Sequence, residues 1–237
     1  MNTQGGPDED QGRAAGAPTV SVVIPVFNRP EQVGEAVESA LAQDHLHTEV
    51  VVVDDGSTDE SPSVVAALAE ADPRVKSVLL PENVGQSAAR NRGVEAASGS
   101  VITMLDSDDL MLPGRIPVGL RHLEDHPHWV AVIGRVEMWI DEGVTPPPMV
   151  ETEKENVELP KVMTGLIRRR AFEEIGGFCE DLRFADDVDF HFRLAALGEV
   201  GEVEALWGVR RIHGDNLVFD TEGIRRGMFQ MMRNRRT

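Results

Sequence analysis

Three short, β-branched runs, Val20 to Val26, Glu49 to Val53 and Val101 to Leu105, each stop at a cluster of Asn or Asp, and helical spacing fills the stretches between them. Behind the first run, Val33, Ala36, Val37, Ala40 and Leu41 share one stripe within Pro30 to Ala42. Pro30 suits a first helical position, where a missing N–H costs nothing. Behind the second, a helix is expected over about Asp59 to Glu70, with Thr58 or Asp59 as its cap. Val75 to Leu80 reads as a further strand and Ser87 to Ala97 as a helix behind Gly85. Near-continuous apolar strands joined by helical crossovers predict an α/β fold with a mostly parallel sheet covered on both faces. Ligands of such sheets bind beyond the carboxyl ends of the strands. Asn28, Asp54 with Asp55, and Asp106 with Asp108 and Asp109 occupy three of those ends.

The second half is less regular. Pro113 to His126 reads as a helix and Val130 to Ile140 as a longer strand. Glu142 to Pro160, with Pro146-Pro147-Pro148 and a run of acids, reads as an excursion or flexible loop. Helical pattern returns at Asp187 to Leu197, and a last strand from about Val203 to Ile212 leads to His213. There is no internal repeat. The expected organisation is a disordered leader over 1–18, one domain over 19–216 and a basic amphipathic tail over 217–237.

A net charge of −18 argues against nucleic acid as a partner, because a phosphate backbone would be repelled. Cys179 is the single cysteine, so no internal disulfide can form, which suits a reducing compartment. The sequence holds no apolar run of the length that spans a bilayer. Residues 1–17 lack the basic-then-apolar order of a signal peptide. The expected location is the cytoplasm, with the inner face of the membrane as a secondary site.

Carboxylates packed together at a strand end repel one another, and a divalent cation relieves that repulsion. The alternative for Asp106-Ser107-Asp108-Asp109 is a surface turn, since Asp and Ser are common turn formers. Carboxylate oxygens favour Mg²⁺ or Mn²⁺, and Mg²⁺ takes only one or two of them alongside substrate phosphates. Such an ion would neutralise charge developing on a nucleotide-diphosphate leaving group. Asp187, in Phe184-Ala185-Asp186-Asp187-Val188-Asp189, is a candidate base for an acceptor hydroxyl. Acids in a first helical turn also have a structural use, interaction with the helix dipole. Asp54 and Asp55 either form a turn with Gly56 and Ser57 or bind a base or ribose. His213 is a third metal ligand, a phosphate contact or merely structural.

Together these segments resemble the family 2 glycosyltransferases of the GT-A fold. The resemblance covers about Thr19 to Asn216 and runs in order through Val22-Val23-Ile24-Pro25-Val26-Phe27-Asn28, Val53-Asp54-Asp55-Gly56-Ser57-Thr58-Asp59, Asn83-Val84-Gly85 and Ala89-Arg90-Asn91. It continues through Leu105-Asp106-Ser107-Asp108-Asp109, Gly176-Gly177-Phe178, Asp186-Asp187-Val188-Asp189 and Arg211-Ile212-His213. The resemblance implies a single Rossmann-like domain, with a nucleotide-sugar-binding half over 19–110 and an acceptor-binding half over 111–216. It implies inverting displacement at the anomeric carbon of a nucleotide-sugar, UDP-sugars being the family default. Pro25, Phe27, Asn28 and Arg90 would lie by the nucleotide, with Asp55 reading the base and Asp54 beside it. Asp106 would face ribose or metal. Asp108 with Asp109 would hold Mg²⁺ or Mn²⁺, His213 would stand near the phosphates or metal, and Asp187 would be the general base. One departure is visible: members often carry Glu-Asp where this chain has Asp186-Asp187. The Gln-x-x-Arg-Trp signature of processive synthases is absent, which favours one transfer per encounter.

Rival readings find less in the residues. A sugar nucleotidyltransferase would want a Gly-rich, basic loop after the first strand, and a dehydrogenase Gly-x-Gly-x-x-Gly; Pro25-Val26-Phe27-Asn28-Arg29-Pro30 stands there instead. A catalytically silent nucleotide-sugar-binding or scaffolding protein is the remaining alternative. Acceptor classes left open are a glycan, a lipid-linked glycan or another hydroxyl compound. The tail from Ile224 carries Arg225, Arg226, Arg233, Arg235 and Arg236 around Met228, Phe229, Met231 and Met232. It is expected either to dock on anionic lipid or to pack on the domain through Met and Phe.

Overall fold

The computed structural model describes residues 19–147 and 162–235. The leader, most of the proline-rich excursion and the last two residues therefore lie outside the described residues. Eight strands form one sheet: β1 (Val20–Val26), β2 (Thr48–Asp54), β3 (Val75–Leu79), β4 (Val101–Met104), β5 (Leu110–Met111), β6 (Ala131–Ile140), β7 (Leu166–Arg168) and β8 (Val200–Ile212). The helices are α1 (Gln32–Leu41), α2 (Ser61–Ala71), α3 (Gln86–Ala96), α4 (Arg115–Asp125), α5 (Arg169–Glu174), α6 (Asp186–Leu197) and α7 (Thr221–Asn234).

The strand order is β3-β2-β1-β4-β7-β6-β8-β5. The β3-β2-β1-β4 block is parallel throughout, joined by helical crossovers through α1, α2 and α3. Two short strands run the other way: β7 is antiparallel to β4 and β6, and β5 to β8. β6 and β8 pair in parallel, so their carboxyl ends reach the same edge as those of β1, β2 and β4. Neither β5 nor β7 was expected, nor α5, because two- and three-residue strands carry no readable period.

β1 and β2 are buried along their whole length, the signature of a central strand with both faces covered. One core, around Ile24, Val37, Val52, Ile116, Leu120 and Trp207, lies under α1, α2 and α4. A second, around Ile102, Met104, Phe172, Phe178, Phe190 and Leu194, lies under α3, α5 and α6. Pro25 sits inside β1, where its missing donor would normally cost a ladder bond. It points to the same side as Val23, whose carbonyl accepts from Leu105 N, and β4 has ended at Met104.

Two details of the helix starts differ from expectation. α1 begins at Gln32, so Pro30 lies in the turn ahead of it, held by Val33 N donating to Arg29 O. The N-cap of α2 is Glu60, and Asp59 contributes from one residue earlier by accepting from Ser61 N at 2.9 Å.

Candidate active site

The carboxyl ends of β1 and β2 are fastened to each other. Asn28, left-handed at φ 52°, donates from its backbone N to Ser57 Oγ at 2.9 Å, and its Oδ1 accepts from Thr58 N at 2.9 Å. Asn is among the few side chains that tolerate this backbone region. Its neighbour Phe27 is 43% exposed, an aromatic face left open at the sheet edge. Pro25, further back along β1, is buried.

Asp54 and Asp55 are both buried. Asp54 Oδ1 accepts from Ser57 N, while Oδ2 finds no partner among the described residues. Asp55 uses both oxygens on the next crossover: Oδ1 accepts from Val84 N at 2.8 Å and Oδ2 from Gly85 N at 3.0 Å. Burial pushes the Asp55 carboxyl up, the two N–H bonds pull it down, and Asp54 adds repulsion. Gly56 makes the close approach possible, since a Cβ there would stand 2.3 Å from the Glu82 carbonyl carbon. Asp55 therefore orders the Asn83-Val84-Gly85 loop, a task the residues alone did not suggest.

Arg90, expected by the nucleotide, is 3% exposed and held between carboxylates. Its Nη1 donates to Asp186 Oδ2 at 2.7 Å and its Nη2 to Asp106 Oδ1 at 2.8 Å. Burial opposes its charge, but Asp106 and Asp186 outweigh that and raise its pKa. Gln86 also donates to Asp106 Oδ1, and Ser87 Oγ to Asp186 Oδ2. The α3 face thus holds the end of β4 and the start of α6 in one network. Burial, relieved by Arg90, leaves the Asp186 carboxyl raised. Asp187 follows it, half-buried, with Oδ1 accepting from Val188 N at 2.8 Å. Ala185, the residue before this pair, is left-handed at φ 62°.

Asp108 faces β8. Its Oδ2 lies 2.9 Å from His213 Nε2 and 3.4 Å from Asn216 Nδ2. Asn216 Oδ1 accepts from His213 N, so the turn after β8 presents the imidazole to the carboxylate. Asp109, expected beside Asp108 as a ligand, also contacts β8. Its Oδ1 accepts from Arg211 N at 2.9 Å, which anchors β8 against the cluster. Burial, then Asp106 and Asp108, push the Asp109 carboxyl well above the ordinary range. Arg115 lies fully buried behind this end of β4, donating to Thr103 Oγ1, Met104 O and Met163 O. Desolvation lowers it to about 9, against the pull of Asp109 and Asp106.

Among the described residues, no three His, Cys, Asp or Glu side chains form a ready-made metal cage. An ion shared with substrate phosphates needs only one or two protein carboxylates. Asp108 Oδ2 and His213 Nε2, at 2.9 Å, offer one oxygen and one imidazole donor at the sheet edge. That donor set fits a divalent cation taken up with a diphosphate.

Residues 21–186 match the family model for glycosyl transferase family 2. The chain belongs to glycosyltransferase family 2. An uncharacterized glycosyltransferase of Rickettsia conorii is 31% identical over 212 residues, covering 84% of this chain and 34% of the relative. The chain thus spans about a third of the length of that relative. Among solved structures, the mannosyltransferase PcManGT from Pyrobaculum calidifontis, in complex with GDP-Man and Mn²⁺, superposes with a TM-score of 0.72 at 23% identity. It covers 93% of this chain and 64% of its own. TarS of S. aureus in complex with UDP-GlcNAc gives a TM-score of 0.71 at 21% identity, over 90% and 65%. These likenesses show the GT-A fold. Among the chain's described residues no helix is long and apolar enough to cross a membrane.

Sequence reasoning missed Gln86, Ser87, Arg115 and Asn216. Their only linear signal is position: two polar residues opening the helix after Gly85, and Asn216 three residues after His213.

Proposed function

We propose that this glycosyltransferase is an inverting enzyme that moves a sugar from a nucleotide-diphosphate donor, a UDP-sugar first, to a hydroxyl acceptor. The acceptor belongs to polysaccharide, lipid-linked glycan or other glycoconjugate assembly. The observation that carries the reading is convergence at one sheet edge: Asp108 with His213, Asp106 with Arg90, and Asp186-Asp187 all stand there.

Asp187 is the group proposed to take the acceptor proton. The acceptor oxygen bonds to the anomeric carbon as the bond from that carbon to the diphosphate oxygen breaks, which inverts the centre. Asp108 and His213 would hold Mg²⁺ or Mn²⁺, whose chemistry is to neutralise the leaving diphosphate. Arg90, donating to Asp186 at 2.7 Å and to Asp106 at 2.8 Å, ties the start of α6, and so Asp187, to the end of β4. Phe27 offers an open aromatic face beside the nucleotide half. The proposed halves are 19–110 for donor and 111–216 for acceptor.

The test is a panel of nucleotide-sugars with and without Mn²⁺, read as nucleotide diphosphate released and as anomeric configuration by NMR. Metal-dependent turnover with inversion supports the reading. Donor binding with no turnover on any acceptor or on water would favour the silent, scaffolding alternative.

A further inference from the structure

α7 packs on the domain through Met231, one of the side chains expected, and through two glycines, while Phe229 stays outside. Gly223, Gly227 and Met231 are its buried residues, whereas Phe229 is 62% and Met232 43% exposed. The glycines let the helix press on Phe184: a Cβ at Gly223 would stand 2.6 Å from that ring, and one at Gly227 2.6 Å from Phe184 O. Gln230 Nε2 adds a bond to Asp181 O at 2.9 Å. The helix is thereby seated against Phe184, two residues before Asp186.

Arg225, Arg226, Phe229, Met232 and Arg233 are all exposed. At 3.6 residues per turn they share an arc of about 120°. Arg225, Arg226 and Arg233 form no salt bridge with a described residue. Beside them Arg235 lies 4.3 Å above the ring of Phe192, itself 46% exposed. Residues 221–235 hold four arginines against the single acid Glu222, in a chain whose net charge is −18. Cations therefore outnumber the one acid, Glu222, which shares this exposed arc, and apolar side chains are interleaved with them.

We propose that this face of α7 is a docking surface for an anionic lipid bilayer. Interleaved Arg and Phe/Met on one exposed face is the chemistry that lies in a headgroup layer: guanidinium groups meet phosphates while the ring and thioether enter the acyl boundary. The remaining acidic surface opposes approach in other orientations, and a Debye length of about 8 Å limits its reach once this face is turned to the membrane. Docking rests on the helix face alone. Its consequence rests on the proposed transferase: α7 is seated on Phe184, so the membrane would lie on the Asp187 side, where a lipid-linked acceptor could present its hydroxyl.

The experiment is co-sedimentation of the full chain with phosphatidylcholine vesicles, with and without phosphatidylglycerol, at low and high salt. Binding only with phosphatidylglycerol, and weakening with salt, is expected. Arg225→Ala and Arg226→Ala should each weaken it about fivefold, and Phe229→Ser about tenfold. These side chains are exposed, so circular dichroism and the thermal midpoint should not move. Indifference to phosphatidylglycerol, or unchanged binding by the variants, overturns the proposal. A lipid-free dimer abolished by Phe229→Ser also overturns it and assigns the face to a second copy. Vesicle binding without transfer from any donor sustains docking and removes only the catalytic reading.

Discussion

Arg90 Nη1 lies 2.7 Å from Asp186 Oδ2, a buried ion pair that ties the third crossover helix to the start of α6 ninety-six residues later. The other arm of the same guanidinium holds Asp106 at 2.8 Å. Removing one partner from a buried ion pair strands the remaining charge, at a cost of about 3–5 kcal/mol. Arg90→Ala should therefore lower stability by roughly that amount in urea unfolding. Arg90→Lys retains a cation but not the planar fork that reaches both carboxylates. It should fold better than the alanine variant and still lose most turnover, with kcat falling more than KM rises. Normal kcat in Arg90→Lys would remove the positioning role.

Asp187 and Asp108 should separate chemistry from donor binding. Asp187→Asn keeps size and loses basicity, so transfer should drop about 10²–10⁴-fold, the usual worth of a general base. Nucleotide-diphosphate binding with Mn²⁺, read as a thermal shift, should hold. Asp108→Asn should instead shrink the Mn²⁺-dependent part of that shift. Near-normal turnover in Asp187→Asn would reassign the base.

At the opposite end of the sheet, Glu49 gathers Ser21 Oγ, Ser98 N and Oγ, Gly99 N and Lys76 Nζ. Burial alone would raise its carboxyl, but Lys76, Ser21 and Ser98 together bring it from 4.5 to about 2. The folded pKa lies below the unfolded one. The stabilisation is therefore complete above pH 4.5 and is lost as pH falls toward 2. Glu49→Gln should cost about 1–3 kcal/mol at neutral pH and flatten the acid limb of a stability–pH curve. An unchanged acid limb would show that the network adds nothing.

Gly177 has φ 72°, and a Cβ there would stand 2.6 Å from Asn91 Oδ1. Asn91 needs that proximity: its Oδ1 accepts from Phe178 N and its Nδ2 donates to Phe178 O. Gly177→Ala should destabilise by about 1–3 kcal/mol through backbone strain and this contact. Gly34, where a Cβ would meet nothing within 4 Å and φ is ordinary, is the control that should tolerate alanine.

Much of the fold is legible in the linear chain because its central strands are buried on both faces. Val22, Ile24, Val50 and Val52 must be apolar whatever their neighbours, so the first four strands and their crossovers can be read locally. β5 and β7 cannot. Leu110-Met111 becomes a strand only because Val209 and Gly208 lie opposite, and Leu166 to Arg168 because β4 and β6 flank it. The tail likewise reads as amphipathic from its residues, yet packing alone decides that Met231 is buried and Phe229 is not.

Residue order was enough to say where the polar clusters fall: Asn28, Asp54-Asp55, Asp106 to Asp109, Asp186-Asp187 and His213, each at an element boundary. What each carboxylate faces was settled by folding. Asp108 meets His213, Asp109 meets the β8 backbone, Asp55 meets two amides of the next loop, and Arg90 is enclosed between Asp106 and Asp186. A carboxylate's task is set by the donor within hydrogen-bond reach, and those donors lie 16 to 105 residues away along the chain.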